Sequence, residues 1–179
     1  MRHACAALLL LGLGCFDAGH NHGGDSARLG KMGKLFGGAD NLDIVASPER
    51  VDAFKLRRPG RDEPGKSYNQ WPVIGAPVRV PSDVASRFSR GLTSESTYPR
   101  FDMPKGCDPV PGYMLRFFAD GRSVDVCFCF ECQILFTYRG PDSIWYANFD
   151  ESTKAIASLF VKVFPADEDL RRLAAKDSP

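Results

Sequence analysis

The sequence predicts an α+β fold, a mainly antiparallel sheet of hairpin and meander strands covered by one or two helices. Three observations predict it. Asp120-Gly121 lies between two runs of alternating apolar residues, the signature of a two-residue type I′ turn whose central positions both need positive φ. Farther on, the runs QILFTYR and IWYANF are rich in β-branched and aromatic residues and are separated by Gly-Pro-Asp-Ser, which reads as a second strand pair. The stretches after Ser82 and after Asp150 instead carry apolar residues at helical spacing.

Taken in chain order, residues 42–46 and 51–56 are expected as strands on either side of a Ser-Pro-Glu-Arg turn. A polar, proline-broken loop follows. Residues 73–80 fit a short edge strand, because Pro77 has no N–H to give to a ladder. Ser82 has the chemistry of an N-cap for a helix that aligns Val84, Phe88 and Leu92. The Asp-Gly turn then fixes a hairpin register: Ala119 opposite Arg122, Phe117 opposite Val124, Leu115 opposite Val126 and Tyr113 opposite Phe128. On the other face Arg116 meets Asp125 as an opposite-charge cross-strand pair. Asp150 or Ser152 can cap a helix over 151–164, which Pro165 stops, and a shorter helix from Asp167 closes the chain.

With 44% hydrophobic and 25% charged residues, the composition suits one ordinary globular domain, expected over residues 41–179. The formal net charge of +1 is spread over mixed signs, which argues against nucleic acid as a partner and against an anionic membrane surface. Membrane contact is expected only through the N-terminus. There Arg2 precedes an apolar run from Ala4 to Leu13, too short for a permanent span, so residues 1–14 read as an export signal. Gly14-Cys15 resembles a lipobox, making Cys15 a lipidation candidate, although Gly12 stands where a branched aliphatic is preferred. The alternative is an ordinary secreted protein. Residues 15–40 are glycine-rich without apolar periodicity and read as a flexible tether.

All three histidines, His3, His20 and His22, precede the expected domain, so catalytic arrangements that need an imidazole are excluded within it. Gly60, Gly65, Lys66 and Ser67 match a phosphate-loop pattern. Asp62, Glu63 and Pro64 would spoil the anion cradle, and Pro72 interrupts the helix that the mechanism requires, so the match is rejected. The loop arginines Arg57, Arg58 and Arg61 and the acids Asp142, Asp150 and Glu151 read as solvated surface and turn residues. Trp71, Trp145 and Tyr146 could line a partner surface or simply pack.

The chemistry-bearing stretch is VDVCFCFECQ, residues 124–133. Extending the hairpin register brings Cys107 near its C-F-E-C segment. Cys127 and Cys129 share a strand face at a separation at or beyond disulfide reach, so Cys127 is expected as a buried free thiol. Cys107, Cys129 and Cys132 remain open to a disulfide, to a zinc site completed by Cys127 or Glu131, or to thiol-redox chemistry. No other cofactor is indicated.

The G-C-x-x-x-P-G-Y-x-x-R-F run from Gly106 to Phe117, the C-F-E-C segment, the terminal V-F-P and the export signal with Cys15 resemble a loose group of bacterial exported, lipoprotein-like proteins without an assigned activity. The resemblance implies an address and an α+β domain, and carries no catalytic residue. The resulting expectation is a non-enzymatic protein of the cell envelope, periplasmic, lipid-anchored or secreted, that binds an envelope protein or ligand. The alternative is a metal-binding or thiol-redox protein using Cys107, Cys129 and Cys132.

Overall fold

A computed structural model describes residues 30–58, 67–68, 71–101, 103–139 and 142–175, with residues 67–68 and 142–144 described by backbone alone. The fold is α+β. In chain order its elements are α1 (Gly30–Phe36), α2 (Ala39–Ala46), β1 (Arg50–Leu56), β2 (Ser67–Tyr68), β3 (Trp71–Arg79), α3 (Ser82–Leu92), β4 (Tyr113–Ala119), β5 (Arg122–Cys129), β6 (Ile134–Arg139), β7 (Asp142–Asn148), α4 (Thr153–Val163) and α5 (Glu168–Ala175). The seven strands lie in the order β2-β3-β1-β4-β5-β6-β7, and each neighbouring pair is antiparallel.

The hairpin β4–β5 has the register expected from the turn, from Ala119 opposite Arg122 to Tyr113 opposite Phe128. Asp120 (φ 51°) and Gly121 (φ 68°) both occupy the left-handed region. Alternation then sorts the side chains. Leu115, Phe117, Val124, Val126 and Phe128 enter the main core beneath the helices, whereas Met114, Arg116, Asp125 and Cys127 point to the opposite, outer face. The core is aromatic-rich around Phe160 of α4. Its ring meets Phe88 at 5.0 Å, Phe128 at 5.1 Å and Tyr113 at 5.3 Å between centroids, so α3, α4 and the central hairpin lock onto one side chain.

Three expectations are corrected. The tether expected over 15–40 is overturned from Gly30 onward, where residues 30–36 form α1 with Met32, Leu35 and Phe36 buried in the core; residues 15–29 lie outside the described residues. The domain therefore includes Gly30, not only residues from 41 onward. Gly37 (φ 72°) ends α1, and the N–H of Gly38 donates to the carbonyl of Gly33 at 2.9 Å, a Schellman closure that explains the glycines without invoking flexibility. Residues 42–46 lie in helix α2 rather than a strand: Asn41, Ile44 and Val45 face inward at helical spacing. Among the described residues five helices are present, more than the one or two expected, and all five contribute buried residues to the core beside the β-sheet.

The remaining elements follow their sequence. β3 has only the two-residue β2 on its far side, and Pro77 falls where the β1–β3 register shifts, with Gly75 at φ 74°. Helix α3 buries Val84, Ala85, Phe88 and Leu92. Ser82 is its first helical residue and Pro81 holds the cap position, so the expected serine cap is not formed. Ser152 holds the N-cap position of α4, as expected of it, without a side-chain cap hydrogen bond, and Asp150 opens the short 3-10 turn that leads into the helix.

Arg116 and Asp125 form the expected pair, with Nε to Oδ1 at 2.8 Å and a second guanidinium nitrogen to Oδ2 at 3.4 Å. Burial raises the Asp125 carboxyl to about 6, with Arg116 pulling the other way without fully compensating. Because the folded group holds its proton more tightly than the unfolded one, its stabilising contribution is complete below about pH 4. It is lost as pH rises through about 6. The shift corresponds to on the order of 3 kcal/mol. Urea midpoints of the wild type should fall across that window through this group, and Asp125→Asn should flatten the dependence; equal slopes would contradict the assignment. Gly121→Val should lower the melting temperature, because a β-branched residue resists positive φ. An unchanged melting temperature would place the strain elsewhere.

Candidate functional site

The C-F-E-C segment turns the chain from β5 into β6. Residues 130–133 form the turn, which ends with Gln133 at φ 55°, and the Gln133 carbonyl accepts the Phe149 N–H at 3.0 Å. Strand alternation runs as far as Phe130, with Phe128 and Phe130 in the main core and Cys129 on the outer side, and the turn then brings Cys132 into a small outer cluster with Cys129 and Ile134. Cys107 and Phe136 pack against that cluster.

Cys107 and Cys132 form a disulfide, with Cα atoms 6.0 Å apart and a sequence separation of 25. The segment carrying Cys107 is fastened at further points. Lys105 Nζ donates to the Cys132 carbonyl at 2.8 Å and to Asp150 Oδ1 at 2.7 Å, and the buried Asn148 amide donates to the carbonyls of Arg100 at 2.9 Å and Met103 at 2.6 Å. Asp150 thus anchors a loop instead of capping a helix, and Glu151 pairs with Arg100 at 3.3 Å.

Cys127 is free and buried, and so is Cys129. Their surroundings differ. Cys127 sits among Leu56, Met114 and Tyr138, with Trp71 packed alongside. Burial pushes its thiol well above the usual range, the Asp125 charge adds to the effect and Arg116 only partly opposes it. Such a thiol stays protonated and unreactive. Cys129 Sγ instead accepts the backbone N–H of Cys132 at 3.4 Å. Of the three candidate zinc ligands, Cys107 and Cys132 are consumed by the disulfide and Cys129 remains. Among the described residues no group of three His, Cys, Asp or Glu side chains is arranged to hold a metal ion.

The inner side of the same turn borders a groove of about 620 Å³, between the ends of β1 and β4 and helix α5. Leu56, Ile74, Val110, Phe130 and Leu173 give it apolar walls, and Tyr113 lies among them. Asp167 organises the polar side. Its Oδ1 accepts the Leu170 N–H at 3.1 Å at the start of α5, while Oδ2 accepts the Tyr113 hydroxyl at 2.8 Å and faces Lys55 Nζ at 2.6 Å. Partial burial works against the Asp167 carboxylate, but the bonds from Lys55, the Leu170 N–H and Tyr113 outweigh it and hold the carboxyl below its usual range. Burial, and then Asp167, push the Tyr113 phenol upward, so it remains a neutral donor. Arg172 pairs with Asp169 on α5. Glu131, exposed on the turn, has no ion-pair partner among the described residues.

Sequence reasoning located the cysteines but missed this groove. Asp167 was legible as a helix start, yet Tyr113 lies 54 residues from it and Lys55 is farther still. Of the aromatic candidates, Trp71 packs into the outer cluster. Trp145 stacks beside the exposed Tyr146 at 6.2 Å, with Lys34 Nζ 4.1 Å from the Trp145 ring. Arg58 pairs with the exposed Asp108 at 3.7 Å. Cys15, His20, His22, Arg61 and the phosphate-loop pattern before Ser67 lie outside the described residues. No protein-family model, curated protein or solved structure matches the chain, and its function is argued from this geometry.

The two classes of cysteine should separate on substitution. Cys132→Ala removes a crosslink closing a loop of 25 residues, which is worth about 3 kcal/mol in chain entropy. Cys127→Ala deletes one buried sulfur and should cost about 1 kcal/mol. Denaturant titration under non-reducing conditions reads both, and the reverse order would contradict the pairing.

Proposed function

We propose that the chain is a non-enzymatic exported protein of the bacterial cell envelope, carried there by residues 1–14 and anchored by a lipid on Cys15. In this reading its cysteine cluster is structural and its groove binds a ligand. The observation that carries the reading is the Cys107–Cys132 disulfide. Such bonds persist in oxidising compartments and are rare in the cytosol, in keeping with the basic tip and apolar run at the N-terminus.

The groove supports binding rather than catalysis. Its size and apolar walls suit a small ligand or the side chains of a partner, and its polar groups largely neutralise one another. Lys55 is matched by Asp167 and Arg172 by Asp169, and among the described residues Glu131 has no ion-pair partner there. An apolar body bearing a positive charge, whether an amphipathic amine or a basic side chain, fits that balance.

Two measurements test the proposal on protein from its native source. Fractionation with intact-mass analysis should find it in the envelope, with a diacylglyceryl group on Cys15 and two thiols that alkylate only after reduction. A cytosolic protein with all its thiols free would overturn the address. Octylammonium should shift resonances of groove residues and raise the melting temperature more than octanoate does, with the difference reduced in Glu131→Gln. Equal responses to the two ions would overturn the ligand class.

A further inference from the structure

Three of the four domain cysteines meet in one outer cluster, but only two are bonded. We infer that Cys129 is an internal exchange partner for the disulfide, so that the Cys107–Cys132 bond can rearrange to Cys129–Cys132 and release Cys107 as a thiol. The inference stands apart from the groove-binding reading, since it concerns sulfur connectivity alone.

The geometry carries it in three respects. Cys129 and Cys132 flank a two-residue step within a tight turn, and the Cys132 N–H already points at Cys129 Sγ, 3.4 Å away. That contact also offers a hydrogen bond to a thiolate formed there. Second, Cys129 is fully buried, so external thiols do not compete for it, while an intramolecular attack needs no solvent access. Third, Cys107, the leaving sulfur, is the least buried of the three and sits on a loop that Lys105 and Asn148 hold independently of the crosslink.

The step is balanced without any added oxidant or reductant. The Cys129 thiolate attacks Cys132 Sγ, the Cys107–Cys132 bond breaks and the Cys129–Cys132 bond forms. Cys107 departs as a thiolate and takes up a proton equivalent to the one lost by Cys129. Cys127 takes no part, because it lies in the neighbouring cluster, apart from the disulfide. One consequence is spatial. Val110 and Gly112, which line the groove, follow Cys107 by a few residues, so the exchange would slacken one wall of the binding site.

The test uses the full chain, folded and oxidised, held in mildly alkaline buffer without redox agents and labelled with N-ethylmaleimide over time. Trypsin separates Cys107, on a peptide ending at Arg116, from Cys127, Cys129 and Cys132, which share a peptide ending at Arg139, so mass mapping distinguishes the two connectivities. Cys107 should become labelled while the three-cysteine peptide acquires an internal bond, at least about tenfold faster than in Cys129→Ala and at an unchanged rate in Cys127→Ala. Labelling that persists in Cys129→Ala, or that vanishes in Cys127→Ala, overturns the inference. A second variant, Cys107→Ala, should form the Cys129–Cys132 bond under oxidised glutathione. Three free thiols in that variant would overturn the inference by an independent route.

Discussion

The structure depends on the register that Asp120 and Gly121 impose on the central hairpin. Two consecutive left-handed residues leave one way to close a two-residue loop between twisted strands, and the pleat then assigns every side chain from Tyr113 to Cys129 to a face. A slip by one residue would drive Arg116 and Asp125 under the helices and bring Phe117 and Phe128 out. The helices are in this sense secondary: α3 and α4 bury their apolar sides against a surface that the turn has already sorted, with Phe160 as the shared contact.

The same alternation, ended by the turn at residues 130–133, lets one short segment serve two environments. Between Phe128 and Cys132 the chain sends aromatic rings inward to the core and groove, and sulfur atoms outward to the disulfide cluster. The groove and the crosslink therefore share a backbone. Lys105 reinforces the arrangement, since its ammonium spans the Cys132 carbonyl and Asp150 and ties the approach to β4 to the start of α4. Asp167 plays the corresponding part on the groove side, where one carboxylate joins β1, β4 and α5.

What was legible in the sequence is what local chemistry determines. The hairpin, the β6–β7 pair and helices α3 and α4 announced themselves through turn residues and periodicity within a few positions. Helix α1 did not, because Gly30 and Gly33 lower its intrinsic propensity; burial of Met32, Leu35 and Phe36 against the sheet outweighs that deficit. In LDIVA five residues fit either period, and packing chose the helix. Disulfide connectivity was not deducible from spacing alone. The groove was hidden for the same reason: its charged members come from strands and a helix far apart in the chain, and no local pattern links them.

The placement of α1 has a bearing on how the protein behaves among its own copies. The Thr137 hydroxyl donates to the Leu35 carbonyl, and Lys34 lies over Trp145, so this helix rests on the last two strands. β7 ends the sheet, and a terminal strand with open backbone groups is a template for another chain. Packed on the inner face beside that edge, a segment with the composition of a spacer buries Met32, Leu35 and Phe36 against the core. A chain trimmed to residue 41 would bare the apolar surface that Leu35 and Phe36 now cover.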